Sequence, residues 1–183
     1  MTSLKLSTYI TEEQIQQKVR EIGAKLTKQF DGQKAIAVCV LKGSFVFYSD
    51  LIRHINTDIT CEFFGVSSYH GGTSSSGEVK VTLDLSTAIE GQHVILVEDI
   101  VDTGLTMNYL KNALNSRKPK SLTTVTLLEK PEALKVPCKV DHVGFQSPMT
   151  LLLVTVWITK VFTETCHTSH KFRIFSRFSL QRN

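Results

Sequence analysis

The sequence has no long hydrophobic run. Although 42% of its 183 residues are hydrophobic, no stretch approaches the roughly 18 apolar residues that a membrane-spanning helix requires. The first residues, MTSLKLSTYITEEQ, also lack the apolar core of a signal peptide. The length is sufficient for one domain with a real core. We therefore expect a globular cytoplasmic protein without a membrane partner.

Cysteine is scarce, and its spacing excludes several kinds of site. Cys39, Cys61, Cys138 and Cys166 form no C-x-x-C pair and no Cys/His cluster, so the usual zinc motifs are absent. We interpret the cysteines as reduced, mostly buried thiols. The six histidines likewise show no ligand or catalytic spacing.

Residues 1–146 carry no net positive charge of the kind that a nucleic-acid surface needs. Residues 1–146 contain sixteen basic and sixteen acidic residues, whereas residues 147–183 contain five basic residues and one acid. The net charge of +4 therefore belongs to the end of the chain, which argues against a nucleic-acid partner for the body of the protein. The compositional break predicts one domain over 1–146 and an atypical tail over 147–183.

What is present is an alternation of strand-like and helix-like segments. A capping box at Thr11 to Gln14 precedes a helix to about Phe30, and further helices are predicted at 45–55 and 107–116. Short apolar runs predict strands at 35–41, 59–66, 79–83, 94–97, 121–128 and 140–145. Strands that alternate with helices form βαβ units. The predicted fold class is α/β, with a twisted, mainly parallel sheet flanked by helices.

The stretch 93–107, HVILVEDIVDTGLTM, joins a buried strand to a candidate ligand site. Glu98 and Asp99 follow the apolar run, where the carboxyl end of a parallel strand meets a ligand crevice. The small, hydroxyl-rich loop 102–106 then leads into a helix. Loop amides and a helix N-terminus form an anion site, and two neighbouring acids suit ribose hydroxyls. The stretch therefore predicts a sugar phosphate ligand.

The segment 67–77 is rich in glycine, serine and threonine and has almost nothing to bury. This composition is typical of an exposed hairpin loop. It is equally typical of a lid that excludes water from a reacting centre.

Four blocks of the sequence resemble a known family in order and spacing. VEDIVDTGLTM resembles the phosphoribosyl-pyrophosphate signature of the type I phosphoribosyltransferases. VLKGSFVFYSDL, SSYHGGTSSSGEVK and LLEKPEALKVPCKVDHVGF resemble the hypoxanthine phosphoribosyltransferase branch, and the resemblance covers about residues 5 to 146. It implies the type I fold, with a small hood formed from the N-terminal and C-terminal segments.

The resemblance also implies an activity and its partners. The expected reaction is purine salvage, in which the phosphoribosyl group of phosphoribosyl pyrophosphate passes to hypoxanthine, and to guanine, with release of pyrophosphate. The implied cofactor is Mg²⁺, a hard cation that suits carboxylate, water and phosphate oxygens. The implied assembly is a homodimer or a homotetramer.

Roles for individual residues follow from the same resemblance. Lys42 and the amide of Gly43 are expected at the pyrophosphate, after a Leu41–Lys42 peptide that is cis. Ser68 and Tyr69 are expected to close over the pyrophosphate as part of the lid. Glu98 and Asp99 are expected to bind the ribose hydroxyls directly or through Mg²⁺.

The remaining roles concern the purine and the 5′-phosphate. Asp102 is expected to act on the purine N7 proton, and it is also a candidate N-cap of the following helix. The 5′-phosphate is expected to bind amides and hydroxyls of the loop, at Thr103, Gly104, Leu105 and Thr106. Lys130 matches the lysine that donates to the purine 6-oxo group, which selects an oxo-purine over adenine.

The resemblance stops at Gln146. The family continues with roughly IPDxFVVGYGLDYxxxYRxLPYI, which supplies an aromatic that stacks on the purine, an aspartate near the metal and an arginine near the pyrophosphate. This chain has Leu151, Ile158 and Glu164 at those positions. One permitted encoding of residues 147–171 becomes IPDDFVVGYGLDYKGFYRNLPYIA followed by a stop when one nucleotide is inserted after the Gln146 codon. We interpret 147–183 as the product of a one-base deletion, and expect impaired catalysis in the chain as written.

Two alternatives stay open. The tail could be a genuine variant, because 151–157 is apolar and β-branched enough to pair as a strand. The domain could instead be a noncatalytic phosphoribosyl-pyrophosphate sensor that regulates transcription. Asp102, Lys42 and the candidate lid favour an enzyme, and no DNA-reading helix is apparent.

Overall fold

The structure is a computed structural model that describes residues 10–68 and 79–147. Tyr69, Cys166, most of the candidate lid and the two segments expected to form the hood lie outside these residues. For Ser68, only the backbone is described. Within the described ranges, no helix combines the length and apolar character needed to cross a bilayer.

Six strands in the described ranges form one sheet in the order β3-β2-β1-β4-β5-β6. The sheet is parallel except for β3, which pairs antiparallel with β2. This confirms the predicted α/β class. The bounds are β1 Lys34–Leu41, β2 Asp58–Ser68, β3 Val79–Leu83, β4 His93–Val101, β5 Ser121–Glu129 and β6 His142–Gln146.

Three α-helices in the described ranges flank the sheet: α1 Glu12–Gln29, α2 Phe45–Ile52 and α3 Leu105–Asn115. A 3₁₀ turn covers Pro131–Ala133. The capping box of α1 is confirmed, since Gln14 N–H donates to Thr11 Oγ1 over 3.3 Å and Thr11 N–H donates to Gln14 Oε1 over 2.7 Å. Two of the four N–H groups that lack a partner within α1, those of Thr11 and Gln14, are therefore satisfied.

The predicted end of α2 at residue 55 is wrong by one turn. The amides of His54 and Ile55 bond to carbonyls three residues earlier, those of Leu51 and Ile52. Such tighter bonds end the α-helical pattern. Ile55 remains buried beyond the helix, which explains why its apolar side chain continues the sequence pattern.

The core lies on both faces of the central strands. Ile36, Val38 and Val40 of β1 pack with Met107 and other buried residues of α3. The intervening β1 residues are also buried, and alternate residues of a strand point to opposite faces. They must therefore be covered from the other side, where α2 packs against β1 and β4. Burial on both faces explains the unbroken apolar runs in the sequence.

Strand β4 extends further than its apolar run. Its pairing with β1 ends at Cys39↔Val97, but its pairing with β5 continues through Glu98↔Thr126 to Val101↔Glu129. The two acids therefore lie inside the last part of the strand, and the prediction that the strand ends before them is corrected. They occupy the position at which β4 separates from β1.

The cysteine prediction is confirmed in part. Cys39, Cys61 and Cys138 are free thiols. Only Cys39 is buried, whereas Cys61 is exposed and Cys138 is intermediate. The expectation that most of them are buried is therefore wrong for the described cysteines, because Cys61 lies on an outward-facing position of β2.

Candidate active site

The candidate site lies at the topological switch point of the sheet. The chain passes from β1 through α2 to β2 on one side of β1, and it later forms β4 on the other side. The loops that follow β1 and β4 thus leave in opposite directions. In open α/β sheets, ligands bind in the crevice that this divergence creates at the carboxyl ends of the strands.

Most of the residues predicted from the sequence lie at this edge of the sheet, and Tyr69 lies outside the described residues. Lys42 and Gly43 follow β1, and Glu98 and Asp99 lie at the end of β4. The loop 102–104 follows β4, and Lys130 follows β5. The Leu41–Lys42 peptide is cis, as expected.

The turn after β1 packs against the Asp99 carboxylate of β4. A Cβ atom added to Gly43 would lie 2.6 Å from Asp99 Oδ2, 3.1 Å from Cγ and 3.2 Å from Oδ1. A contact of 2.6 Å is essentially never made by a real Cβ atom, so a side chain at residue 43 would displace the carboxylate. Glycine allows the turn to approach the carboxylate this closely.

The two acids of β4 are held by the hydroxyl of Ser44. This side chain is fully buried; its Oγ donates to Glu98 Oε2 over 2.6 Å and accepts the Asp99 N–H over 3.1 Å. Ser44 was not predicted as a site residue. Its place after a Lys-Gly turn, ahead of an apolar helix, indicates only a helix N-cap.

The Asp99 carboxyl group is enclosed by the protein. Burial raises the pKa of Asp99 above its ordinary value, and the hydrogen bond from the Ile100 N–H, 2.9 Å from Oδ1, opposes that shift. Behind the acids, burial and then the charges of Glu98 and Asp99 raise the pKa of Cys39 to about 12. The Cys39 thiol is therefore protonated near neutral pH and is not a nucleophile.

The carboxylates are chemically suited to Mg²⁺. No group of three or more His, Cys, Asp or Glu side chains that could hold a metal occurs among residues 10–68 and 79–147. Mg²⁺ does not need such a cage, because it keeps several waters and commonly binds one or two carboxylates together with substrate phosphates. Glu98 and Asp99, adjacent at the crevice, fit that kind of site.

The loop after β4 leads directly into the N-terminus of α3 at the carboxyl end of the sheet. Gly104 has a left-handed conformation, with φ 79° and ψ −13°, and α3 begins at the next residue. The first turn of α3 contains no acid that would repel an anion, so its N-terminus retains the anion preference of a helix dipole. Asp102 is not the N-cap: Gly104 holds that position, because its positive φ allows the sharp turn into the helix.

A second segment, 134–138, supports this loop from behind. Thr103 O accepts the Lys135 N–H over 3.0 Å, and Asn108 Nδ2 donates to Pro137 O over 2.8 Å. A Cβ at Gly104 would lie 2.9 Å from Cys138 Cβ. The sequence pattern does not indicate this support, since the segment has neither helical nor strand periodicity.

Asp102 and Lys130 lie together at the end of the candidate site formed by β4 and β5. Lys130 is only 3% exposed, and its Nζ lies 3.8 Å from Asp102 Oδ1. The Lys130 N–H donates to Val101 O over 2.9 Å, which fixes the end of β5 against the end of β4. A carboxylate acceptor beside a cationic donor can bind a ring N–H and an oxo group that are neighbours on one edge of a ligand.

Comparison with known proteins gives the same family throughout. The sequence model of the phosphoribosyl transferase domain family matches residues 7–159. The chain is 48% identical over 139 residues to the hypoxanthine-guanine phosphoribosyltransferase of Bacillus subtilis (strain 168), covering 76% of this chain and 77% of that one. It is 46% identical over 147 residues to the hypoxanthine-guanine phosphoribosyltransferase of Dictyostelium discoideum, covering 78% and 82%.

A solved structure extends the similarity to three dimensions. The hypoxanthine-guanine phosphoribosyltransferase of Bacillus anthracis, solved with a HEPES molecule in its active site, superposes with a TM-score of 0.74 and 47% sequence identity. The match covers 78% of this chain and 84% of that chain. The fold, the convergent site residues and these similarities lead to one conclusion: the chain belongs to the phosphoribosyltransferase family, in its hypoxanthine-guanine branch.

Proposed function

We propose that this fold transfers the phosphoribosyl group of phosphoribosyl pyrophosphate to hypoxanthine, and to guanine, in purine salvage. The observation that carries the proposal is the convergence of four functions on one crevice. An anion-binding loop, a pair of acids, a Lys-Gly turn and a buried lysine beside an aspartate all lie at the carboxyl ends of β1, β4 and β5.

Substrate binding divides among these parts. The amides of Thr103, Gly104 and Leu105, with the hydroxyls of Thr103 and Thr106, hold the 5′-phosphate at the N-terminus of α3. Glu98 and Asp99 hold the ribose hydroxyls. Lys42 and the amide of Gly43 hold the pyrophosphate. Ser68 and Tyr69 close over it when the lid excludes water.

The chemistry exchanges one bond at C1 of the ribose for another. A purine nitrogen forms the new bond to C1, while the bond from C1 to the pyrophosphate oxygen breaks and leaves its electron pair on that oxygen. The purine loses one proton in the process, and the Asp102 carboxylate accepts it. Lys130 donates to the 6-oxo group, which orients the base and disfavours adenine, whose amino group is itself a donor at that position.

Glu98 and Asp99 are the residues that would hold Mg²⁺. When bound with the substrate, the ion neutralises charge on the pyrophosphate. The acids themselves orient the ribose, so they act on C1 through the sugar. We also propose that this chain works in the cytoplasm as a homodimer or homotetramer.

We further propose that residues 1–146 are the phosphoribosyltransferase domain and that 147–183 is an out-of-frame replacement of its end. The support is the restored segment, which supplies an aromatic, an aspartate and an arginine in place of Leu151, Ile158 and Glu164. Loss of base stacking alone removes roughly 1–3 kcal/mol of the binding free energy of the purine, by analogy with stacking in nucleic-acid sites.

The test is steady-state formation of IMP from hypoxanthine, phosphoribosyl pyrophosphate and Mg²⁺. The chain as written is compared with a restored-frame chain, in which residues 1–146 are followed by the in-frame segment. We expect turnover in the restored-frame chain and little in the chain as written. Equal, substantial rates would overturn the out-of-frame proposal, and no turnover in a folded restored-frame chain would overturn the enzymatic one.

A further inference from the structure

Ser44 occupies the N-cap position of α2 but does not cap the helix. Its backbone is helical, with φ −74° and ψ −9°, and its side chain makes no capping hydrogen bond. Serine is favoured at this position because its oxygen ordinarily accepts an amide of the first helical turn. Here the hydroxyl is instead directed away from α2 and toward β4.

The hydroxyl uses both of its hydrogen-bonding capacities at the acid pair. It donates to Glu98 Oε2 over 2.6 Å, a length typical of a hydrogen bond to an ionised carboxylate. It accepts the Asp99 N–H over 3.1 Å. Ser44 is fully buried, so water does not compete for these two bonds.

These bonds occur where the ladder between β1 and β4 has ended. The two strands pair as far as Cys39↔Val97, and Asp99 is two residues further along β4. Its amide therefore bonds to a side chain in place of a β1 carbonyl. The same hydroxyl joins the Lys42-Gly43 turn to β4, and this turn packs against the Asp99 carboxylate.

We propose that Ser44 is a positioning residue, which orients the Glu98 carboxylate for the ribose of phosphoribosyl pyrophosphate. This inference rests on the proposed function of Glu98. Glu98 has a long side chain with several rotamers, and the donated hydrogen bond selects one of them before substrate arrives. Preorganisation of this kind reduces the ordering that binding would otherwise require. Ser44 itself does not touch the substrate.

The test is a double-mutant cycle on the full chain, with the dissociation constant for phosphoribosyl pyrophosphate measured by calorimetry in Mg²⁺. The variants are Ser44→Ala, Glu98→Ala and both together. We expect Ser44→Ala alone to weaken binding about tenfold, in line with the loss of a hydrogen bond to a charged group. In the Glu98→Ala background the same change should weaken binding less than about twofold, because the two act through one contact.

Ser121→Ala is the matched control. Ser121 also has a hydroxyl hydrogen bond, 2.7 Å from His93 Nδ1, but it lies at the opposite end of the sheet, at the start of β5. We expect its removal to leave the dissociation constant unchanged. If Ser44→Ala does not fold, Ser44→Cys keeps the side-chain shape, with a somewhat larger atom and a weaker donor, and it should weaken binding in the same direction.

The cycle separates failure of this inference from failure of the proposed function. If Glu98→Ala weakens binding but the effects of Ser44→Ala and Glu98→Ala are additive, Ser44 does not act through Glu98 and the inference is overturned. If Glu98→Ala leaves binding unchanged, the assignment of the acid to the ribose is itself wrong. A strong coupling between the two changes supports both the positioning role of Ser44 and the assignment of Glu98 to the ribose.

Discussion

The substitution Gly43→Ala tests the close packing of the Lys-Gly turn against the acid pair, and it compares the effect on binding with the effect on stability. Gly43 is not among the glycines with positive φ, so alanine meets no left-handed backbone strain here. Its effect is the single methyl group that would lie 2.6 Å from Asp99 Oδ2. Asp99 is enclosed, and its Oδ1 is bonded to the Ile100 amide. The carboxylate must therefore shift away from the crevice or break that bond.

The expected destabilisation is modest and the expected loss of binding is large. Overpacking by one methyl group lowers the free energy of unfolding by about 1–3 kcal/mol. Displacing an acid that holds the ribose should weaken binding of phosphoribosyl pyrophosphate by about 10-fold to 100-fold, since a hydrogen bond to a charged group contributes about 1.5–3 kcal/mol. Urea unfolding measures the first quantity, and calorimetric titration in Mg²⁺ measures the second.

Gly23→Ala is the matched control for this experiment. Its added Cβ would lie 2.6 Å from His54 Cβ and 2.6 Å from the backbone His54 O, so it is crowded at least as severely but lies at the contact between α1 and the end of α2. It should destabilise the fold without changing the dissociation constant. A folded Gly43→Ala variant that binds phosphoribosyl pyrophosphate like the unmodified chain would refute the reasoning.

Three further predictions concern other parts of the molecule. In the restored-frame chain, Asp102→Asn should lower kcat by about 10²–10⁴-fold with little change in phosphoribosyl-pyrophosphate affinity, because general-base catalysis contributes on that scale; unchanged kcat would exclude the role of base. Lys130→Met should reduce the ratio of hypoxanthine to adenine turnover, measured by product chromatography, and an unchanged ratio would exclude selection through the 6-oxo group. Burial opposes ionisation of Glu62, but hydrogen bonds from Thr87 and Ser86 outweigh it and hold the pKa of Glu62 below its ordinary value. The resulting stability is present above the unfolded-state pKa and is lost as pH falls through the folded-state pKa. Urea titrations should therefore show that the free energy of unfolding falls on acidification, and that Glu62→Gln reduces this fall. The same dependence of the free energy of unfolding on pH in both proteins would contradict this.

The sequence was most informative where a pattern is local. The apolar run of β4, the acids after it and the glycine before α3 all follow one another within a few residues, and their order alone predicts a strand, a crevice and an anion-binding loop. The capping box at Thr11 is similarly local, and its two hydrogen bonds are present.

The contacts that the sequence could not predict join distant segments. Ser44 meets Glu98 only because β1 and β4 become neighbours with a particular register, and that register is set by packing in three dimensions. The same holds for the support of Gly104 by Cys138. Local composition also misplaces boundaries, as at Glu98, where pairing with β5 continues the strand beyond its apolar residues. The roles of Ser68 and Tyr69 in a lid remain predictions.

The most direct test of the central claim is equilibrium binding of phosphoribosyl pyrophosphate, in Mg²⁺, to the chain as written. The proposed phosphate loop, acid pair and Lys-Gly turn all precede Gln146. We therefore predict saturable binding at one site per chain, even though turnover requires the restored frame. A folded chain that shows no saturable binding, even at concentrations far above those that saturate the restored-frame chain, would contradict the claim that the switch point of the sheet carries the phosphoribosyl-pyrophosphate site by itself.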